Sequence, residues 1–257
     1  MRSSVFSRCG TRAALVALTC AVVAAAGAAD KAGKADKHPD FSGIWGPYVE
    51  PGSPGFRALR GRMDLPLTPE GRDKVAAYRK LVGPTDNPGA HCLGSGMPES
   101  LMFSGGYPME IIQRPEQITI IYEAHNEVRR LYLGDKIIPP ADRLPARNGY
   151  STAHWEGDTL VVETGSLREQ EDQAYAHSDQ ATIVERYHEE QDSHGTRVLV
   201  ASWTMTDPAF YTKPVTFEKK WGYEPKGILL PYECDEETWL DHLEQLKKGK
   251  TASAAYK

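Results

Sequence analysis

Histidines, acids and arginines interrupt the apolar segments in the second half of the chain, and such groups could perform acid–base chemistry. A histidine can serve as a general base, a buried carboxyl group can serve as an acid because burial raises its pKa, and an arginine can stabilise developing negative charge. The predicted catalytic residues are His154, His177, Glu110 and Glu185, and the predicted substrate-binding arginines are Arg129 and Arg130. Either histidine would be the base, and either glutamate would be the acid or would orient the histidine.

The positions of the charged residues along the predicted strands indicate that some of them point inward. Arg129 and Arg130 are neighbours in a strand-like segment, so one of them points inward whichever face is buried. The same holds for Glu185 and Arg186. One interpretation is a polar pocket that binds a carboxylate, enolate or phenolate. The alternative is an ion pair that holds strands in register, or a polar outer face.

The two candidate histidines lie next to predicted turns, and turns form the rim of a barrel. His154 precedes the turn Glu156-Gly157-Asp158, and His177 with Ser178 precedes a strand. In the alternative interpretation, His154 caps a turn and Ser178 begins a strand. Aromatic residues that could contact a substrate, or simply fill the core, are Tyr122, Tyr150, Trp155 and Tyr211.

Motifs of cofactor-dependent and hydrolytic enzymes are missing from the sequence. It contains no G-x-S-x-G, no Walker A loop, no G-x-G-x-x-G after a strand, no H-E-x-x-H and no C-x-x-C. The histidines are scattered, so only folding could assemble a metal site from them. The sequence therefore predicts neither a cofactor nor a metal.

Short apolar segments separated by turns predict an all-β protein. About nine candidate strands begin with the segment at 41–45 and continue from 107 to 234, mostly with connections too short for helical crossovers. The sequence therefore predicts a lipocalin-like antiparallel β-barrel over residues 41–250. One N-terminal-side helix is predicted at 68–82, and one C-terminal helix at 235–248. Residues 86–106 are predicted to form a long loop.

The N-terminus has the pattern of a secretory signal peptide over residues 1–28. Three arginines precede a short apolar run, and Ala26-Gly27-Ala28 resembles a cleavage site. Cleavage is favoured over a retained signal anchor, and the sequence predicts no transmembrane segment thereafter. Residues 29–40 would be a disordered leader and 251–257 a loose tail. The predicted location is the periplasm or the exterior, and the oligomeric state is left open.

The charge and the cysteines narrow the possible partners and the compartment. The net charge is −5, and removing the signal takes away arginines but no acids, so the protein is not expected to bind nucleic acid. Cys92 and Cys234 would remain after cleavage. In an oxidising compartment they are predicted to form a disulfide, and the alternative is two free thiols.

Two resemblances accompany these patterns. Gly43-Ile44-Trp45 resembles the G-x-W signature of lipocalins and the wider calycin barrels. The chain also resembles a large and mostly uncharacterised family of secreted bacterial proteins. The segments that show this resemblance are His154–Val162 (HWEGDTLVV), His177-Ser178, Val184–Tyr187, Tyr107–Ile111 and Val128–Arg130. The resemblances imply a barrel-like fold and export, and they imply no activity.

The sequence favours an exported, cofactor-free enzyme of the lyase, hydratase or isomerase type. Its substrate would be a small apolar or aromatic molecule bound in the barrel. One alternative is a carrier with the same pocket and no chemistry. Another is a periplasmic interaction module that uses the loop at 84–106 as its contact surface.

Overall fold

Nine β-strands pair in chain order and close into a barrel in the computed structural model, which describes residues 38–50, 64–82, 88–103, 106–172, 174–232 and 237–248. The strands are β1 Gly43–Pro47, β2 Met109–Arg114, β3 Gln117–Tyr122, β4 Glu127–Tyr132, β5 Tyr150–Glu156, β6 Thr159–Gly165, β7 Thr182–Gln191, β8 Arg197–Thr206 and β9 Val215–Tyr223. β9 pairs with β1 and closes the sheet. The predicted all-β barrel is confirmed.

The barrel is mixed rather than purely antiparallel, which corrects one part of the prediction. β4 and β5 run parallel, and they pair only at Leu131 with Ser151 and at Tyr132 with Thr152. The reason is the segment between them, residues 133–149, which returns the chain to the end where β4 began before β5 starts. This segment contains only short 3₁₀ turns, Gly134–Lys136 and Pro140–Asp142.

Two further expectations about secondary structure were wrong. Residues 228–232, predicted as part of a last strand, form none, because β1 already occupies the free edge of β9. Within the predicted loop at 86–106, the chain forms a 3₁₀ helix at Pro88–His91 and a short α-helix at Glu99–Phe103. This α-helix follows Pro98 and has an acid in its first turn, as helix starts often do.

Three α-helices are present among the described residues: α1 Pro69–Leu81, α2 Glu99–Phe103 and α3 Glu237–Lys247. α1 begins as the sequence predicts, because the Thr68 side chain accepts a hydrogen bond from the Gly71 amide at 3.1 Å. α3 lies within its predicted bounds. No helix of the described chain is long and apolar enough to cross a membrane.

One end of the barrel, here called the closed end, is covered by α1, α2 and the segments 166–172, 174–181 and 207–214. Leu101 and Met102 of α2 are fully buried, and the Trp203 indole donates to the Met102 sulfur. Tyr175 packs edge-on against Trp203 with ring centroids 5.0 Å apart. Gly71 brings α1 so close to Phe210 that a Cβ atom there would lie 2.7 Å from the Phe210 carbonyl oxygen.

The opposite end, here called the rim end, carries the short β2–β3, β5–β6 and β7–β8 turns. Residues 38–42, here called the strap, lie across it. Phe41 is buried, and its carbonyl accepts from the Trp45 indole at 2.8 Å. Gln113 makes three hydrogen bonds to the strap: its side chain accepts from the Phe41 amide and donates to the Pro39 carbonyl, and its backbone amide donates to the Ser42 hydroxyl. Residues 38–40, assigned to the disordered leader from the sequence, therefore belong to an ordered cap.

Candidate functional site

A charged network lies inside the barrel and contains two of the predicted site residues. The Arg129 guanidinium bonds to both Glu185 carboxylate oxygens, at 2.6 and 2.5 Å. It also donates to Ser151 at 3.0 Å and to Thr164 at 2.8 Å. The Tyr187 hydroxyl donates to Glu185 at 2.6 Å. These five residues, here called the Arg129 network, are all almost completely buried.

Strand alternation places these side chains together. Arg129, Ser151, Thr164 and Glu185 belong to four strands that are consecutive in the barrel, β4 to β7, and each side chain points inward. Arg129 is therefore the inward member of its pair, and Arg130 is exposed. Glu185 is likewise the inward member of its pair, since Arg186 is exposed.

The charged groups of the network pair with each other, and few of their hydrogen-bonding positions are left for a ligand. Burial acts to lower the pKa of Arg129, but the charge of Glu185 and its hydrogen bonds outweigh burial, so the pKa lies above its ordinary value. Burial and the charge of Glu185 raise the pKa of Tyr187, which stays a neutral phenol. Each Glu185 oxygen already accepts two hydrogen bonds. The geometry is that of an ion pair between strands.

Tyr122, a predicted substrate contact, is buried beside this network. Its hydroxyl has no hydrogen-bond partner among the described residues. Burial raises the pKa of Tyr122 above its ordinary value, although the Arg129 charge opposes this. The structure thus brings together Arg129, Glu185 and Tyr122 of the predicted site.

The predicted catalytic histidines lie elsewhere, in two different environments. His154 is exposed on the outer face of β5, with its Nε2 atom 3.4 Å from a Glu156 carboxylate oxygen. His177 is fully buried at the closed end, with Nδ1 2.9 Å from the Ser178 carbonyl and Nε2 3.0 Å from the Met97 carbonyl. Burial lowers the pKa of His177, although the hydrogen bonds to the Ser178 and Met97 carbonyls oppose this shift.

The remaining predicted residues are also dispersed. Glu110 is half-buried, opposite Ile121 in the β2–β3 pairing. Tyr150 stacks on Tyr132, Trp155 stacks on His38 at the rim end, and the Tyr211 hydroxyl donates to the Ala176 carbonyl at the closed end. Arg130 lies on the outer face of β4. Cys92 is half-buried, and Cys234 lies outside the described residues, so the disulfide stays a prediction.

A cleft of about 550 Å³ lies at the rim end, among the strap, the β5–β6 turn and the β7–β8 hairpin, and it is here called the rim cleft. Its volume lies in the range of small-molecule sites. The charged and aromatic residues that line it are Asp40, Asp158, His188, Glu189, Arg197 and Tyr223. None of them was predicted as a catalytic or binding residue from the sequence.

The single guanidinium of the rim cleft is already neutralised. Arg197 binds both oxygens of Glu189, at 2.7 and 2.6 Å, and lies over the Tyr223 ring at 4.4 Å. Hydrogen bonds from Ser42 hold the pKa of Asp40 below its ordinary value, so Asp40 is ionised. Asp158 makes no hydrogen bond or ion pair within the described chain. The cleft therefore has excess negative charge.

His188 adds an imidazole ring to the lining of the rim cleft. Its Nε2 atom lies 3.1 Å from a Glu190 carboxylate oxygen. The sequence showed His188 only as one of several scattered histidines and Asp158 only as a turn residue. No local sequence pattern predicts that residues 39–42 lie next to residues 188–197, because only closure of the barrel brings these two segments together. No three potential metal ligands cluster among the residues that the structure describes.

A second cleft, of about 290 Å³, opens on the barrel wall between β4 and residues 146–150, and it is here called the side cleft. Arg130, Tyr132, Arg147 and Tyr150 are among its lining residues. Two of them, Arg130 and Tyr150, belong to the predicted substrate-binding set. The side cleft lies outside the barrel interior, where the sequence placed the substrate.

Comparisons with protein families, with curated proteins and with solved structures found no match to this chain. The resemblances to lipocalins and to secreted bacterial proteins therefore stay predictions.

Proposed function

We propose that this protein is an exported carrier that binds a small organic cation in the rim cleft. The observation that carries the proposal is the charge of the cleft, in which three carboxylates face one guanidinium. The guanidinium donates two hydrogen bonds to Glu189 and one to the Asp40 carbonyl, and its charge is paired with the Glu189 carboxylate. Asp40 and Asp158 are left to balance a positive charge on a ligand.

The shape and position of the rim cleft support this choice. It lies at the end of the barrel opposite α1 and α2, so a ligand reaches it without rearrangement of these two helices. A primary ammonium group has three donors and no acceptor, which suits a site of carboxylates. The cleft is polar, so the proposed ligand differs from the apolar or aromatic molecule that the sequence favours.

A carrier is supported over the enzyme that the sequence favours, because the candidate catalytic groups do not converge on one cavity. His154 is outside, His177 is enclosed at the closed end, and Glu185 is bound by Arg129. General acid–base catalysis requires the acid and the base within hydrogen-bond reach of one substrate. The inward charges instead fit the alternative interpretation, an ion pair between strands.

The test is isothermal titration calorimetry with benzylammonium as the probe, and with benzyl alcohol and benzoate as neutral and anionic analogues. Asp158→Asn removes one charge at a residue without other partners, so the fold should be unaffected. One solvent-exposed charge pair contributes up to about 1 kcal/mol, so benzylammonium affinity should fall about threefold to fivefold. Added salt should weaken binding by the wild type, because it screens exposed charges.

The matched control is Asp179→Asn, since Asp179 is an exposed acid next to the closed end. It should leave affinity within about twofold of the wild type. Equal losses in the two variants, or tighter binding of benzoate than of benzylammonium, would contradict the proposal. Turnover of the probe by the wild type, abolished in His188→Asn, would replace the carrier with an enzyme at the same cleft.

A further inference from the structure

The parallel junction of β4 and β5 leaves an opening in the barrel wall. β5 pairs with β4 only from Leu131 onward, so the first four residues of β4 have no strand partner on that side. On their other side they pair fully with β3. The side cleft occupies this opening, and residues 146–150 form its opposite wall.

The charges around the side cleft are opposite in sign to those of the rim cleft. All of its charged lining residues are arginines: Arg129, Arg130 and Arg147. Arg129 is paired with Glu185, and Arg147 with Asp172 at 2.6 Å. Arg130 is exposed and has no ion-pair partner among the residues that the structure describes. On a chain of net charge −5, this is an uncompensated cation beside a cleft.

A rigid aromatic surface stands beside that cation. The rings of Tyr132 and Tyr150 stack with centroids 4.9 Å apart and planes 14° apart. The Tyr150 hydroxyl accepts from the Ile138 amide at 3.0 Å, which fixes the ring. Arg143 lies over the Tyr150 ring at 4.5 Å and also bonds to the Ile138 carbonyl. A second guanidinium, without a carboxylate partner in the described chain, is thus held nearby.

We propose that the side cleft is a second binding site, for a small amphipathic anion in which a carboxylate or phosphate group is attached to a flat apolar group. Arg130 pairs with the anionic group, since a guanidinium binds carboxylate and phosphate with two parallel hydrogen bonds. The apolar part packs on Tyr132 and Tyr150 and on the exposed Val128. The site does not depend on the rim cleft, and it prefers the opposite charge.

The test is calorimetric titration with phenyl phosphate, compared in the wild type, Arg130→Gln and Arg130→Glu. The wild type should bind, Arg130→Gln should weaken binding about tenfold, and Arg130→Glu should abolish it. Arg114→Gln is the matched control, because Arg114 is also exposed and unpaired in the described chain but lies on β2. It should bind as the wild type does, and benzylammonium at saturation should not displace phenyl phosphate.

Three results would overturn the proposal. The first is no binding of phenyl phosphate by a folded wild type, and the second is equal weakening in the Arg130 and Arg114 variants. The third comes from sedimentation with phosphatidylglycerol vesicles. Binding to vesicles that Arg130→Gln abolishes, without binding of free phenyl phosphate, would assign the surface to lipid headgroups in a membrane.

Discussion

Replacing Glu185 with glutamine should destabilise the protein strongly, because it leaves the Arg129 charge buried without a counter-charge. The two guanidinium–carboxylate distances are 2.6 and 2.5 Å, and neither side chain is more than 1% exposed. Removing one partner of such a buried pair costs about 3–5 kcal/mol. Glutamine keeps the shape, but its NH2 group replaces an oxygen that accepted from the guanidinium, so the loss should arise from the missing charge and acceptor rather than from a cavity.

A surface arginine–glutamate pair with a similar closest distance supplies the control. Arg186 and Glu156 also approach to 2.5 Å, but their side chains are about half exposed. Solvent screens this pair, so Glu156→Gln should leave the free energy of unfolding close to that of the wild type. The two substitutions are chemically identical, but Glu185 is buried and accepts two hydrogen bonds from its arginine, whereas Glu156 is half exposed and accepts one. The comparison therefore contrasts a buried, doubly bonded pair with an exposed, singly bonded one.

The assay is urea unfolding, monitored by tryptophan fluorescence and by circular dichroism. The slope of the unfolding free energy against urea concentration should be the same in all variants, which checks two-state behaviour. The double variant Arg129→Met/Glu185→Met removes both charges and should recover at least half of the loss of Glu185→Gln. A loss below about 1 kcal/mol in Glu185→Gln would refute the reasoning, because a dry, paired interior site predicts more.

Three further predictions concern other parts of the barrel. Burial lowers the pKa of His177, so below about pH 6.5 the unfolded chain binds a proton that the folded protein does not. The free energy of unfolding should therefore fall as the pH decreases, and it should fall less in His177→Asn. Urea unfolding at several pH values measures both. Gly71→Ala should cost about 1–3 kcal/mol, because its Cβ would meet a backbone oxygen, whereas Gly165→Ala has open space and should cost less. Peptide mapping without reductant should show Cys92 linked to Cys234, and reduction should lower stability by about 2–5 kcal/mol.

These predictions have separate controls. For the pH dependence, an unchanged slope in His177→Asn would show that His177 does not titrate differently in the folded and unfolded states. Equal thermal stability of the two alanine variants would contradict the close approach of α1 to the closed end. Free thiols at both Cys92 and Cys234 after aerobic purification would contradict the predicted disulfide.

The strands and α1 were predictable from the sequence, because they depend on local patterns. Apolar alternation and turn residues marked the strands, and Thr68-Pro69 marked the start of α1. Alternation also required one of Arg129 and Arg130 to point inward. It could not decide which one, because that depends on the face that barrel closure buries.

The features that depend on distant contacts were not predictable. The parallel β4–β5 pairing follows from the path of residues 133–149, which contain no long helix to announce a crossover. The rim cleft joins Asp40 to Arg197, and the hydrogen bond between them spans 157 positions in sequence. Local periodicity does not indicate which distant residues approach each other. The predicted site residues were therefore chosen from charged and aromatic residues on or next to the predicted strands.

The most direct test of the central claim is the location of bound benzylammonium, mapped by amide chemical-shift changes in ¹⁵N-labelled protein. We expect the largest changes in the strap, at Asp158 and along residues 188–190, with saturation behaviour that Asp158→Asn weakens. Changes centred on the closed end, or on Arg130 and Tyr150 at the side cleft, would contradict the assignment of the rim cleft as the carrier site.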